Sequence, residues 1–165
     1  MTPLAVFVGP MASGKTKVGR RVARDLGVGF VDTDRTIVAD HGPIAEIFAR
    51  DGEPRFRELE RAAVVSALQT DGVVSLGGGA VLDPATRADL ATQRVVLLTV
   101  TPQVVARRLA LQAGKRPLVA DGVAQWERIF AERRPLYDEV ATATFDTSVG
   151  DFDSIAREVA AWLTT

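Results

Sequence analysis

The chain has 165 residues, 47% hydrophobic and 25% charged, with 14 glycines and a formal net charge of −1. That length builds about one domain around one substantial core, and the composition is that of an ordinary globular protein rather than a disordered or fibrous one. Near-neutral charge removes the electrostatic case for nucleic acid, and the lack of cysteine removes disulfides, thiol catalysis and cysteine metal sites.

In chain order, the first element is the apolar run LAVFVG at 4–9, read as a strand. No basic segment precedes it and it soon meets a glycine loop. It is too short for a signal peptide or a membrane span, so a cytoplasmic protein is expected. The loop, Gly9 to Thr16, fits G-x-x-x-x-G-K-[ST]. Val18, Val22, Ala23 and Leu26 then recur at helical spacing, and Gly27 is placed to cap that helix. A glycine loop between a strand and a helix aims backbone N–H groups and the positive helix end at a phosphate. Lys15 is expected to reach the outer phosphates of a nucleoside triphosphate, and the Thr16 hydroxyl to ligate Mg²⁺.

The second strand is read over 28–34, with VDTD placing Asp32 and Asp34 at its carboxyl end, where α/β sheets bind ligands. Alternation along a strand points both the same way, so they are expected to share one site. One carboxylate then serves the metal and the other an acceptor hydroxyl. His41, beside Gly42 and Pro43, is read as a surface residue in a loop. A helix is predicted over 53–69 with Phe56, Leu59, Ala63 and Ala67 as its apolar stripe. Arg57 and Glu60 share a face there, so Arg57 is a candidate for a substrate carboxylate, with Glu60 orienting it.

Strands are predicted at 72–78, 94–100 and 141–147, and helices at 84–91, 102–112 and 152–163, started by Pro84, Pro102 and Asp151. Gly77, Gly78 and Gly79 directly follow the third strand, where a missing side chain lets a ligand approach the backbone. The stretch QAGKRPLVADG (112–122) reads as a basic loop between helices, able to close over phosphates and exclude water. Five apolar strands alternating with helices predict an α/β three-layer sandwich around a five-stranded parallel sheet. Arginines outnumber lysines seventeen to three, which favours anion recognition at a few positions and reflects gene composition at most.

The assembled pieces resemble the shikimate kinase family, of the nucleoside-monophosphate-kinase-like phosphate-loop fold. They are the phosphate loop, DTD at 32–34, IFARDGEPRFRELE at 47–60, SLGGGAV at 75–81, RPL at 116–118, RRPLY at 133–137 and DTS at 146–148. The resemblance implies a P-loop NTPase-type kinase of one domain with a mobile lid at about 111–122. It implies transfer of the ATP γ-phosphate to the 3-hydroxyl of shikimate, with ATP as co-substrate and Mg²⁺ as cofactor. Ala12, Ser13, Gly14, Lys15, Thr16, Lys17, Arg108 and Arg116 would hold the nucleotide, with Lys15 and Arg116 steadying the transferring phosphate. Arg108 and the loop after Asp146 would flank adenine. Thr16 and Asp32 would hold the metal. Asp34 would bind ring hydroxyls and act as the base, while Arg57, Arg133 and Gly78 would bind the acceptor. A monomer is expected, with a small-molecule substrate and neither nucleic acid nor membrane as partner.

Two alternatives stay open on these residues: a gluconate-type sugar-acid kinase of the same fold, and a nucleotide-binding module without catalysis. The glycine triplet weighs against the first, and the retention of Asp34, Arg57, Arg116 and Arg133 against the second. The chain departs from the family pattern at Ala12, usually glycine, at Lys17, often a small hydroxyl residue, at Pro43, usually serine, and in SVGD, which lacks a basic residue. A positive φ at Ala12 would carry strain.

Overall fold

The computed structural model describes residues 1–112 and 120–165, with side chains placed outside 112–121. Arg116 and most of the expected lid therefore lie outside the described residues. Five strands, β1 (Ala5–Val8), β2 (Phe30–Asp32), β3 (Val73–Ser75), β4 (Val95–Thr99) and β5 (Ala143–Asp146), pair all-parallel in the order β2-β3-β1-β4-β5. Eight helices connect or follow them among the described residues. They are α1 (Lys15–Leu26), α2 (Thr33–His41), α3 (Ile44–Asp51), α4 (Glu53–Ala67), α5 (Pro84–Leu90), α6 (Pro102–Gln112), α7 (Ala120–Val140) and α8 (Phe152–Leu163). A single 3-10 turn spans Ala80–Leu82.

The sheet is covered on both faces, which explains why its central strands read as continuous apolar runs rather than as alternation. Val6, Val8, Val74, Val95 and Leu97 face one core, closed by Val64 and Ala67 of α4, Leu90 of α5 and Val140 of α7. Ala5, Phe7, Val73, Val96 and Leu98 face the other, closed by α1 through Val18 and Val22 and by α8 through Ile155, Ala156 and Val159. Val95, Val96, Leu97 and Leu98 of β4 are all fully buried, each side chain contributing about 1.5–3 kcal/mol. Only β5, at an edge, alternates between half-buried and exposed residues.

The predicted strand and helix order holds, α1 ends on Gly27, and Asp151 caps α8 by accepting from the Ser154 N–H. Two expectations are corrected. The second strand stops at Asp32, and the chain turns at once into α2. The segment around His41 is not a loop: α2 and α3 nearly fill 33–51, with His41 as the exposed last residue of α2. Their inward residues Ile37 and Ile47 pack with Phe56 and Ala63 of α4 as a satellite core.

Candidate active site

Gly9 to Gly14 joins β1 to α1 at the carboxyl edge of the sheet. Each carbonyl from residue 9 to 13 receives a hydrogen bond from a side chain. Lys15 Nζ donates to the carbonyls of Gly9 (2.8 Å) and Pro10 (3.0 Å). Trp126 Nε1 donates to Met11 (2.8 Å), Arg108 Nη1 to Ala12 (2.8 Å) and Thr147 Oγ1 to Ser13 (2.6 Å). In a trans peptide the next N–H points the opposite way, so these donors fix the orientation of the loop's peptides. At Gly14 φ is 94°, and a Cβ there would lie 2.6 Å from the Phe152 ring, so both backbone and space require glycine.

Ala12 has φ 66°, the only positive value at a non-glycine among the described residues. Such a conformation costs alanine on the order of 1–2 kcal/mol. Its methyl packs against Val100, Val105 and Trp126, which offsets part of that strain. Lys15 is held among protein groups: burial lowers its ammonium pKa from 10.5 to about 8, against the opposing pull of the Asp34 and Asp32 carboxylates.

Thr16 Oγ1 donates a 2.6 Å hydrogen bond to Asp32 Oδ2. Asp32 is also the N-cap of α2, its Oδ1 accepting from the N–H groups of Asp34 (3.0 Å) and Arg35 (3.3 Å). Strand alternation is therefore not what brings Asp32 and Asp34 together. Asp34 sits in the first turn of α2, and the cap aims it at the same site. Burial raises the Asp34 pKa and the Asp32 charge adds to the shift, while Lys15 and Arg57 oppose it.

The glycine triplet lies beside the loop, with charged side chains packed close over it. A Cβ at Gly77 would lie 2.5 Å from Asp34 Oδ1 and 3.1 Å from Glu60 Oε2, and one at Gly79 would overlap the Arg57 guanidinium. At Gly78 the same position faces the Gly9 carbonyl at 3.5 Å, the Met11 N at 3.6 Å and Arg133 Nη1 at 3.7 Å. Successive Cα atoms are about 3.8 Å apart, so two guanidinium groups and two carboxylates converge on a single short stretch. Arg57 Nη1 donates to Glu60 Oε1 at 2.8 Å, and Glu60 is only 3% exposed. Burial pushes the Glu60 carboxyl upward, with Arg57 opposing. The pair is thus a buried support rather than a solvated ion pair on a charged helix.

Of the nucleotide-side residues, Arg108 ties Ala12 to the Thr147 backbone and hydroxyl, and its guanidinium stands 4.8 Å over the Phe152 ring. Lys17 is exposed, with Nζ 5.5 Å from the same ring. The buried Ser13 lends the loop its backbone, while its hydroxyl has no hydrogen-bond partner among the described residues. Sequence reasoning missed Trp126, Thr147, Phe152 and Tyr137, whose hydroxyl donates to the Gly78 carbonyl at 2.5 Å. Two of them carried a signal: Tyr137 lies one helical turn from Arg133 on α7, and Thr147 lies within the DTS at 146–148.

A parallel sheet with a strand, phosphate loop and helix at its centre, and two arginines converging on a glycine triplet beside it, defines the class of phosphate-loop small-molecule kinases. A sequence model described as Shikimate kinase matches residues 11–164. The shikimate kinase of Salinispora tropica is 48% identical over 165 residues, covering 99% of both chains. The structure of a shikimate kinase from Acinetobacter baumannii in complex with shikimate superposes with a TM-score of 0.88. It is 30% identical, over 99% of this chain and 93% of that one. A gluconokinase from Sinorhizobium meliloti reaches a TM-score of 0.68 at 24% identity, over 97% of this chain and 90% of its own, a likeness of fold alone. The chain belongs to the shikimate kinase family.

Proposed function

We propose that this protein transfers the γ-phosphate of ATP to the 3-hydroxyl of shikimate, giving shikimate 3-phosphate and ADP. The observation that carries the reading is the closeness of the glycine triplet to the phosphate loop: Gly78 meets the loop at Gly9 and Met11, with Asp34 against neighbouring Gly77. An acceptor seated there is next to the phosphate chain, as in-line transfer requires.

Arg57 and Arg133 hold the acid's carboxylate as paired charge-assisted hydrogen bonds, and buried Glu60 keeps Arg57 oriented. Asp34 holds the ring hydroxyls and takes the proton of the attacking one. The hydroxyl oxygen then bonds to the γ-phosphorus as the bond to the bridging oxygen breaks, and ADP leaves with that electron pair. Lys15, and Arg116 from the segment expected to serve as lid, neutralise the transferring group. Arg108 and the loop after Asp146, with the Phe152 ring, flank the base.

The Thr16 hydroxyl and the Asp32 carboxylate are hard oxygen donors 2.6 Å apart. No cluster of three or more His, Cys, Asp or Glu residues suited to a metal occurs among the described residues. One or two protein oxygens completed by phosphates and water is the donor set that suits Mg²⁺. Thr16 and Asp32 would hold the ion, which would supply neutralisation of the phosphates' charge. Among the described residues no helix is long and apolar enough to cross a membrane. We assign the protein to the cytoplasm, acting as a monomer.

The test is a coupled ADP-release assay with MgATP, comparing shikimate with gluconate, nucleoside monophosphates and no acceptor. Release dependent on shikimate alone supports the reading. Release with gluconate would move the acceptor assignment, and ATP binding without stimulated release by any acceptor would favour a non-catalytic nucleotide module.

A further inference from the structure

The Met11–Ala12 peptide is the weak point of the phosphate loop. Ala12 adopts a left-handed φ of 66°, which an alanine leaves readily when its surroundings allow. Rotation of that one peptide plane would return Ala12 to negative φ and swing its N–H to the other side of the loop. The Met11 side chain cannot prevent this, because it is 63% exposed. What opposes the rotation is Trp126, near the start of α7 and 115 positions along the chain. Its indole N–H donates to the Met11 carbonyl at 2.8 Å. The Trp126 side chain is itself anchored: the residue is 6% exposed, packs with Val100 and Val105, touches the Ala12 methyl cluster and meets the Phe130 ring at 5.2 Å. Rotation would leave a buried N–H without a partner, a loss added to that of the bond itself.

We propose that Trp126 is a positioning residue for nucleotide phosphate. It latches the Met11–Ala12 peptide so that the Ala12 N–H faces the phosphate side, and so makes alanine workable at a position whose backbone suits glycine. The inference rests on the reading that this loop binds ATP. The same helix carries Arg133 and Tyr137, and Phe130 lies edge-on to Tyr137 at 6.1 Å. The latch thus belongs to the element that also lines the acceptor pocket.

The decisive comparison is among the wild-type protein, Trp126→Phe, Ala12→Gly and the double variant, each assayed for the KM of MgATP and of shikimate and for MgATP binding by calorimetry. Loss of one indole hydrogen bond should raise the KM and Kd for MgATP about three- to tenfold, with the acceptor KM changed less than about twofold. Ala12→Gly, itself in the nucleotide loop, serves as the reference for the double variant. Added to Trp126→Phe it should restore most of the lost MgATP affinity, because glycine has no bias against positive φ. Unchanged MgATP affinity in Trp126→Phe, or no restoration by Ala12→Gly, overturns the latch. A purely structural tryptophan would lower Tm and the active fraction without that split. Should Trp126→Phe not fold, the chain's second tryptophan offers another route. Trp162→Phe leaves Trp126 as the sole indole, whose N–H resonance should be protected from exchange and should move as MgATP is titrated. A resonance indifferent to saturating MgATP overturns the proposal. Wild-type protein that binds MgATP but phosphorylates no acceptor would sink the kinase reading and leave the latch standing; failure to bind MgATP sinks both.

Discussion

Thr16 and Asp32, sixteen positions apart and on different elements, share a 2.6 Å hydrogen bond that joins the first turn of α1 to the N-cap of α2. They are the two protein oxygens of the proposed metal site, so replacing Asp32 by Asn keeps most of the cap but removes the charge. The Mg²⁺ concentration giving half-maximal turnover is expected to rise about 10- to 100-fold. A Mg²⁺ titration at saturating ATP checks it, and an unchanged midpoint would remove Asp32 from the metal site.

Asp34 is set close against Gly77, with its Oδ1 2.5 Å from where a Cβ would stand. Asp34→Asn is expected to lower kcat by about 10²- to 10⁴-fold while ATP affinity changes little. Gly77→Ala, which displaces the carboxylate without removing it, should give a smaller loss in kcat. Steady-state kinetics on both variants decide the matter, and equal turnover in Asp34→Asn and wild type would refute a base at this position.

Arg57 lies across Gly79 so closely that no Cβ fits between them. Arg57→Ala removes a charge-assisted clamp worth about 1.5–3 kcal/mol, so the KM for shikimate should rise about 10- to 100-fold with the KM for ATP nearly constant. Gly79→Ala should shift the same constant in the same direction by pushing the guanidinium aside. Equal losses for acid and nucleotide in Arg57→Ala would argue against a carboxylate clamp.

Lys15 holds a charge that the fold disfavours, its pKa lowered from 10.5 to about 8 chiefly by burial. Between those values the unfolded chain keeps a proton that the folded chain has released. Stability of the nucleotide-free wild type should therefore rise with pH through about 8 to 10.5 relative to Lys15→Met. At pH 7 the Met variant should be at least as stable as wild type, yet turn over about 10²- to 10³-fold more slowly, as expected on losing a charge aimed at the transferring phosphate. Denaturant melts across this pH range together with turnover measurements check both halves. A clearly destabilised Lys15→Met would show that the ammonium supports the fold.

Features carried by neighbouring letters were legible in the sequence. The Gly9 to Thr16 spacing, the helical repeat of Val18, Val22 and Leu26, the caps at Gly27 and Asp151, and the Arg57–Glu60 pair one turn apart all depend on local geometry, which a short stretch of chain encodes. The apolar runs and the helices between them led to the parallel sheet for the same reason. Other features belong to packing. Strand alternation gave the right partnership for Asp32 and Asp34 through the wrong element, because a strand running on to residue 34 and a helix beginning at Thr33 look alike in letters. The burial of Glu60, the overlap of Gly79 with Arg57, the donors that Arg108 and Thr147 send to the phosphate loop, and the hold of Trp126 on Met11 join residues far apart in the chain. Such contacts exist only once helices have docked on the sheet, and no local periodicity records which side chain will meet which carbonyl. The chain's own letters determined the phosphate loop and the layered fold around it. Tertiary structure alone decided how that loop is held and which charges gather at the glycine triplet, because those are distances between elements rather than patterns within them.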